Sequence, residues 1–303
     1  MRWFRRFPSS VGLLLLLGCQ RDALAPKPNS WATGPRFSKP SPPPPDPAAP
    51  PGHIAFVRVL PPLNRDVFRM DATGASVTRL ADGYAPAWSP VGSRIAFNCG
   101  INICVMNADG SGIVQLAATA EAAAWSPDGS RIAFHAQDQT GNWDIYAMDA
   151  NGVNQVRLTT DPAVDGNPDW SPDGTRIAFE RIVNGTDQVL VMNADGTGAV
   201  QQLTSGPGGE DPAWSPNGTK IAFASNRSGQ SQIYMMNSDG TGLVQLVTTT
   251  GGSGPDWSLD GSRIVFACPV GKTTDICAIN PDGSRAVDLT STRYPEHSPS
   301  WGP

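Results

Sequence analysis

Carboxylates dominate the side chains that could do chemistry in this chain of 303 residues. Tyr84, Glu121, Asp165, Asn167, Asp169, Glu210, Asp211, Asp256, Glu296 and His297 fall in segments that join one stretch of alternating pattern to the next. Carboxylates converging on one point would take Ca²⁺, which prefers a shell of oxygen ligands. Carboxylates spread around a ring instead form a solvated acidic rim, and no cofactor or metal is assigned. His297 beside Glu296 is the histidine placed for general-base work, yet no partner nucleophile accompanies it. His53 and His135 flank strands and read as structural. No catalytic residue is therefore assigned.

The Asn-Ala-Asp-Gly segments Asn107–Gly110 and Asn193–Gly196 superficially suggest calcium loops. They lack the spaced ligands and distal Glu of an EF-hand. Asn and Asp before Gly are what a hairpin turn requires. No G-x-S-x-G nucleophile elbow occurs, and the glycines fall in hairpins rather than in phosphate loops between strand and helix.

Cys99 and Cys268 each lie two residues after a repeated Phe, and Cys104 and Cys277 occupy one shared place in the strands that follow. Elsewhere those positions hold Ala136 with Tyr146, or Ser225 with Tyr234. Two arrivals at one cross-strand pair argue for Cys99–Cys104 and Cys268–Cys277 disulfides and an oxidising compartment. Two pairs of buried thiols are the alternative.

Charge is uneven along the chain. Residues 1–51 hold seven Lys or Arg and two Asp or Glu; residues 52–303 hold 15 and 25. An acidic body lacks the basic patch that phosphate contacts need, so nucleic acid is excluded as a partner. Residues 1–18 read as a signal peptide: three Arg, then the apolar run Val11–Leu17. That run is too short to span a bilayer. Leu16-Leu17-Gly18-Cys19 resembles a bacterial lipobox, which implies lipidation at Cys19. Gln20 resembles the pattern of lipoproteins sent to the outer membrane. Residues 19–51 form a linker, and its Pro content favours polyproline II and disorder over a packed core. The lipid is the expected membrane attachment.

The elements that must position the candidate residues come from a repeat. Trp88-Ser-Pro-Val-Gly-Ser-Arg-Ile-Ala-Phe97 recurs from Trp125, Trp170, Trp214 and Trp257. A period near 40–45 residues fits a four-stranded propeller blade. The first strand ends at the Trp, a Ser-Pro-Asp-Gly turn follows, and Arg-Ile-Ala-Phe is the second strand. The third strand is of the type Asp144-Ile-Tyr-Ala-Met148, and the fourth is short, as at Gln202-Leu-Thr204. His53-Ile-Ala-Phe56 lacks a preceding Trp, and Pro299-Ser-Trp301 lacks a following strand. Joined, they make a sixth unit. The expectation is an all-β, six-bladed propeller over residues 52–303, closed by the C-terminal strand, which removes exposed sheet edges.

The repeated W-S-P-D-G-x-R/K-I-A-F and the following I-Y-x-M-N resemble the TolB-type propeller repeat, and also the propeller of the dipeptidyl-peptidase family. The resemblance covers about residues 52–303. It departs from both families outside that span: the Pro-rich stretch cannot be the N-terminal α/β domain of TolB, and no hydrolase domain is expected after Trp301. The resemblance implies a non-catalytic, extracytoplasmic, monomeric binding platform whose partner is an envelope protein or peptide. The alternative is a divalent-metal-dependent propeller hydrolase or lyase, lactonase-like, with its site at the channel mouth.

Overall fold

The computed structural model describes residues 52–247 and 251–303. The signal segment 1–18 and the linker 19–51, Cys19 included, lie outside the described residues.

Among the described residues, twenty-four strands form six four-stranded sheets. Blade 1 contains β1 (His53–Leu60), β2 (Asn64–Asp71) and β3 (Thr78–Asp82). Blade 2 contains β4 (Tyr84–Trp88), β5 (Arg94–Cys99), β6 (Asn102–Asn107) and β7 (Val114–Ala118). Blade 3 contains β8 (Ala120–Trp125), β9 (Arg131–Gln137), β10 (Trp143–Asp149) and β11 (Val156–Arg157). Blade 4 contains β12 (Asp165–Trp170), β13 (Arg176–Val183), β14 (Thr186–Asn193) and β15 (Gln201–Gln202). Blade 5 contains β16 (Glu210–Trp214), β17 (Lys220–Ser225), β18 (Gln232–Asn237) and β19 (Val244–Gln245). Blade 6 contains β20 (Ser253–Trp257), β21 (Ile264–Val270), β22 (Thr273–Ile279) and β23 (Val287–Asp288). The last strand, β24 (Glu296–Gly302), pairs with β1 and completes blade 1. All neighbours within a blade are antiparallel. Among the described residues there is no helix.

The repeated motif explains the register. Each Trp stands opposite the Ile seven residues on, from Trp88↔Ile95 to Trp257↔Ile264. The closing pair Trp301↔Ile54 repeats the geometry across the ring. Between them the turn is held locally: the Gly92 N–H donates to the Ser89 carbonyl at 2.9 Å, and Gly129 does the same to Ser126 at 2.8 Å. Gly92 sits at φ 67°, a left-handed conformation that a side chain would strain.

Blades meet through the same residues. The indole N–H groups of Trp125, Trp170 and Trp257 donate to the carbonyls of Ala87, Ala124 and Ala213 in the preceding blade, at 3.1–3.2 Å. Arg94 and Arg176 stack over Trp125 and Trp214 of the next blade, each 4.7 Å from the ring centre. Phe56, Phe97, Phe134, Phe179, Phe223 and Phe266 are fully buried in the cores between blades. The innermost strands β24, β4, β8, β12, β16 and β20 pack successively against one another and close the ring.

Both disulfides are formed, Cys99–Cys104 and Cys268–Cys277. Each joins a second strand to a third. Disulfides persist in oxidising compartments, so they indicate an extracytoplasmic protein.

Candidate functional site

One backbone feature organises the inner wall of the ring. Three residues before each Trp the chain is left-handed, at Ala85, Ala122, Asn167, Asp211, Gly254 and Ser298, with φ between 46° and 57°. The pairing with the second strand slips at the same place in every blade. This is a bulge, which locally frees backbone groups from the ladder. The freed N–H groups turn to the preceding blade. Ala122 donates to Asn98 Oδ1 at 3.1 Å, Asn167 to His135 Nδ1 at 3.1 Å, and Asp211 to Glu180 Oε2 at 3.2 Å. All three acceptors directly follow the repeated Phe of the second strand. A polar residue there in blades 2, 3 and 4 was the signal in the sequence that marks Glu180, which the candidate set above omits.

An acidic group gathers around blades 4 and 5. Asn167 Nδ2 donates to Asp211 Oδ1 at 2.8 Å, linking the bulges of the two blades. Burial pushes Glu180 well above the usual carboxylate range, and the charges of Asp211 and Asp187 add to the effect. Burial likewise raises Asp211. Glu210 is pushed up to about 7 by burial and by Asp211 and Asp187. Tyr84 on β4 and Glu121 on β8 form a second pair, in blades 2 and 3. Burial first and Glu121 second push the Tyr84 hydroxyl up to about 12, and burial raises Glu121. The Arg65 guanidinium lies 5.2 Å from the Tyr84 ring centre. His297 bonds Ser298 at 3.0 Å and is pushed down to about 4 by burial and then by Arg65.

The remaining candidates are held in structure. Asp165 is fully buried and takes two bonds from Arg181, at 2.6 and 2.8 Å. Glu296 is fully buried against Arg58 at 2.6 Å. Asp169 Oδ2 accepts the Trp214 backbone N–H and Asp256 Oδ2 that of Trp301, each at 2.7 Å. Burial raises Asp169 to about 7 and Asp256 to about 6, against the pull of those bonds. Tyr84, Glu121, Asn167, Glu210, Asp211 and His297 thus remain half-buried on the inner wall. Among the described residues, no three His, Cys, Asp or Glu are grouped so as to hold a metal ion. The Asn-Ala-Asp-Gly segments are hairpin turns, in which Asp109 and Asp195 accept bonds from Ser111 and Thr197.

The TolB beta propeller domain family matches residues 53–206 and 184–303. The chain belongs to that family. Among curated proteins, none matches the chain. TolB from Acinetobacter baumannii superposes with a TM-score of 0.74 at 23% identity, covering 82% of this chain and 66% of that one. This chain therefore spans just under two thirds of that protein. A putative TolB from Agrobacterium tumefaciens gives 0.68 at 21% identity, covering 84% and 99%. Oligogalacturonate lyase from Vibrio parahaemolyticus gives 0.53 at 15% identity, covering 76% and 72%. These likenesses show the fold alone.

Proposed function

We propose that this propeller is a non-catalytic binding platform of the cell envelope, engaging an envelope protein or peptide at the acidic end of its central channel. On this reading Cys19 carries a lipid, residues 20–51 are a tether from the outer membrane, and the platform works as a monomer. The observation that carries the binding site is the acidic group of Glu210 and Asp211 with Glu180 and Asp187, on the same inner wall that carries Tyr84 and Glu121 in blades 2 and 3. Half-buried carboxylates held above their usual pKa regain favourable charge when a cation approaches. The partner surface is accordingly basic, and complementary charge speeds encounter.

The test is affinity capture from envelope extract with residues 20–303 as bait, beside a Glu121→Lys, Glu210→Lys bait. A control bait carries Asp195→Lys and Asp239→Lys, which shift net charge equally on exposed hairpins away from the channel. These sites spare Asp256 and Glu296, whose loss would break the frame. A protein retained by the wild-type and control baits and lost with the channel variant supports the reading. Equal capture by all three overturns it.

A further inference from the structure

The six blades reuse one set of positions at each seam, and one seam is out of charge balance. Where blade 3 meets blade 4, four positions hold Asp144, Arg157, Asp165 and Arg181. Arg157 bonds Asp144 at 2.7 Å, and Arg181 bonds Asp165 at 2.6 Å. The outer edge adds Asp138 and Asp161, each 3.1 Å from one of these arginines. Blade 1 repeats the outer pair as Asp66 and Arg79, 2.9 Å apart. Blades 2, 4 and 5 place uncharged amides at the positions of Asp144 and Arg157, such as Gln188 and Gln202.

Where blade 6 meets blade 1, the same four positions hold Asp275, Asp288, Glu296 and Arg58. Asp288 stands opposite Cys277 as Arg157 stands opposite Tyr146. An acid has replaced the arginine, and three carboxylates face one guanidinium. Asp275 is 2% exposed and Glu296 is 0% exposed. Asp275 Oδ1, Asp288 Oδ1 and Glu296 Oε2 are all buried without a hydrogen-bond partner. Unpaired buried acceptors are costly, and two like charges in one site favour a proton on one of them.

We propose that this seam is a proton-operated clasp. A proton taken up from water by Asp275 or Asp288 supplies the missing donor beside Glu296 and removes one charge. Its release restores the repulsion and loosens β24, the strand that closes the ring. The groups facing the cluster are Arg58 from β1, Asp275 from β22, Asp288 from β23 and Thr292, whose hydroxyl lies 3.3 Å from Glu296. Asp256 on β20 also holds β24, through the Trp301 N–H. Burial, then Asp288 and Glu296, push Asp275 up to about 7; burial, then Glu296, push Asp288 up to about 6. Folded-state values above the unfolded ones mean that stability is full near pH 4 and is lost as pH rises through 6 to 7.

Hydrogen exchange of β24 amides in the full chain, corrected for intrinsic rates, tests this from about pH 5 to about pH 8. The wild type is expected to lose protection in β24 by roughly tenfold more than Asp288→Asn does over that range. Asp288→Arg restores the blade 3 arrangement and should flatten that loss. Asp288→Asn removes one charge with little change of shape and should flatten most of it, which keeps the test open if the arginine variant does not fold. Protection in β24 that ignores pH, or an unchanged pH response in Asp288→Asn, overturns the clasp. So does full recovery at pH 8 on adding calcium chloride, which would make the group a cation site.

Discussion

Asp169 and Asp256 do one job in two blades: each fastens the backbone of the next blade's Trp. Ser300 does the same for Trp88 at 3.3 Å. At these three junctions the indole N–H of Trp214, Trp301 and Trp88 has no partner, whereas at junctions with Ala in that place the indole donates to the carbonyl instead. A ring junction therefore uses one of two latches, chosen by the residue before the Trp. Removing a carboxylate latch strands a buried N–H. Asp256→Ala should cost about 1–3 kcal/mol, read by urea unfolding, while Asp256→Asn keeps an acceptor and should cost much less. Because burial raises Asp256 to about 6, its ionisation opposes folding, and Asp256→Asn should lose less stability than wild type between about pH 4 and about pH 6.

At the scale of strands, the disulfides brace two of the six second-to-third-strand hairpins. Each closes a short loop, so replacing either pair with Ser should cost about 2–3 kcal/mol. Denaturation of each double variant against the wild type, under non-reducing conditions, measures it. The first three strands of each blade and both cysteine pairs were legible from the recurrence of Trp, Ile and Phe, because burial between blades leaves those positions little freedom; the fourth strand, expected at Gln202-Leu-Thr204, lies at Gln201–Gln202. The site was less legible. Asp165 and Glu296 read as rim acids, yet each is claimed by an arginine four residues after the Ile of the adjoining strand, a cross-strand match visible only once the bulge shifts the register. Asp169 and Asp256 likewise read as rim residues, since nothing in local sequence shows that a side chain will bond a neighbouring blade's backbone. Asn167 and Asp211 were visible as polar residues, but their left-handed backbone was not, because neither is Gly.

For the whole molecule, closure by β24 is the decisive contact. It joins groups far apart in sequence, as in the Arg58–Glu296 pair separated by 238 residues. Deleting residues 296–303 leaves β1 an open edge and uncovers the Trp88 side of blade 2. Exposed edges invite pairing with other chains. The deletion variant should lose its cooperative thermal transition and elute as aggregates in size-exclusion chromatography with light scattering; a monodisperse, cooperatively unfolding variant would contradict the role given to this strand.

The same long-range pairing carries a consequence for biogenesis. A chain emerging in order from its N-terminus makes five blades before the strand that finishes the first one. During that interval β1 presents unsatisfied backbone to its surroundings, and the loop that must close is almost the full length of the ring. Loop entropy grows slowly with length, but non-local pairing delays the last step. The nascent propeller is thus most exposed to proteases and chaperones just before completion.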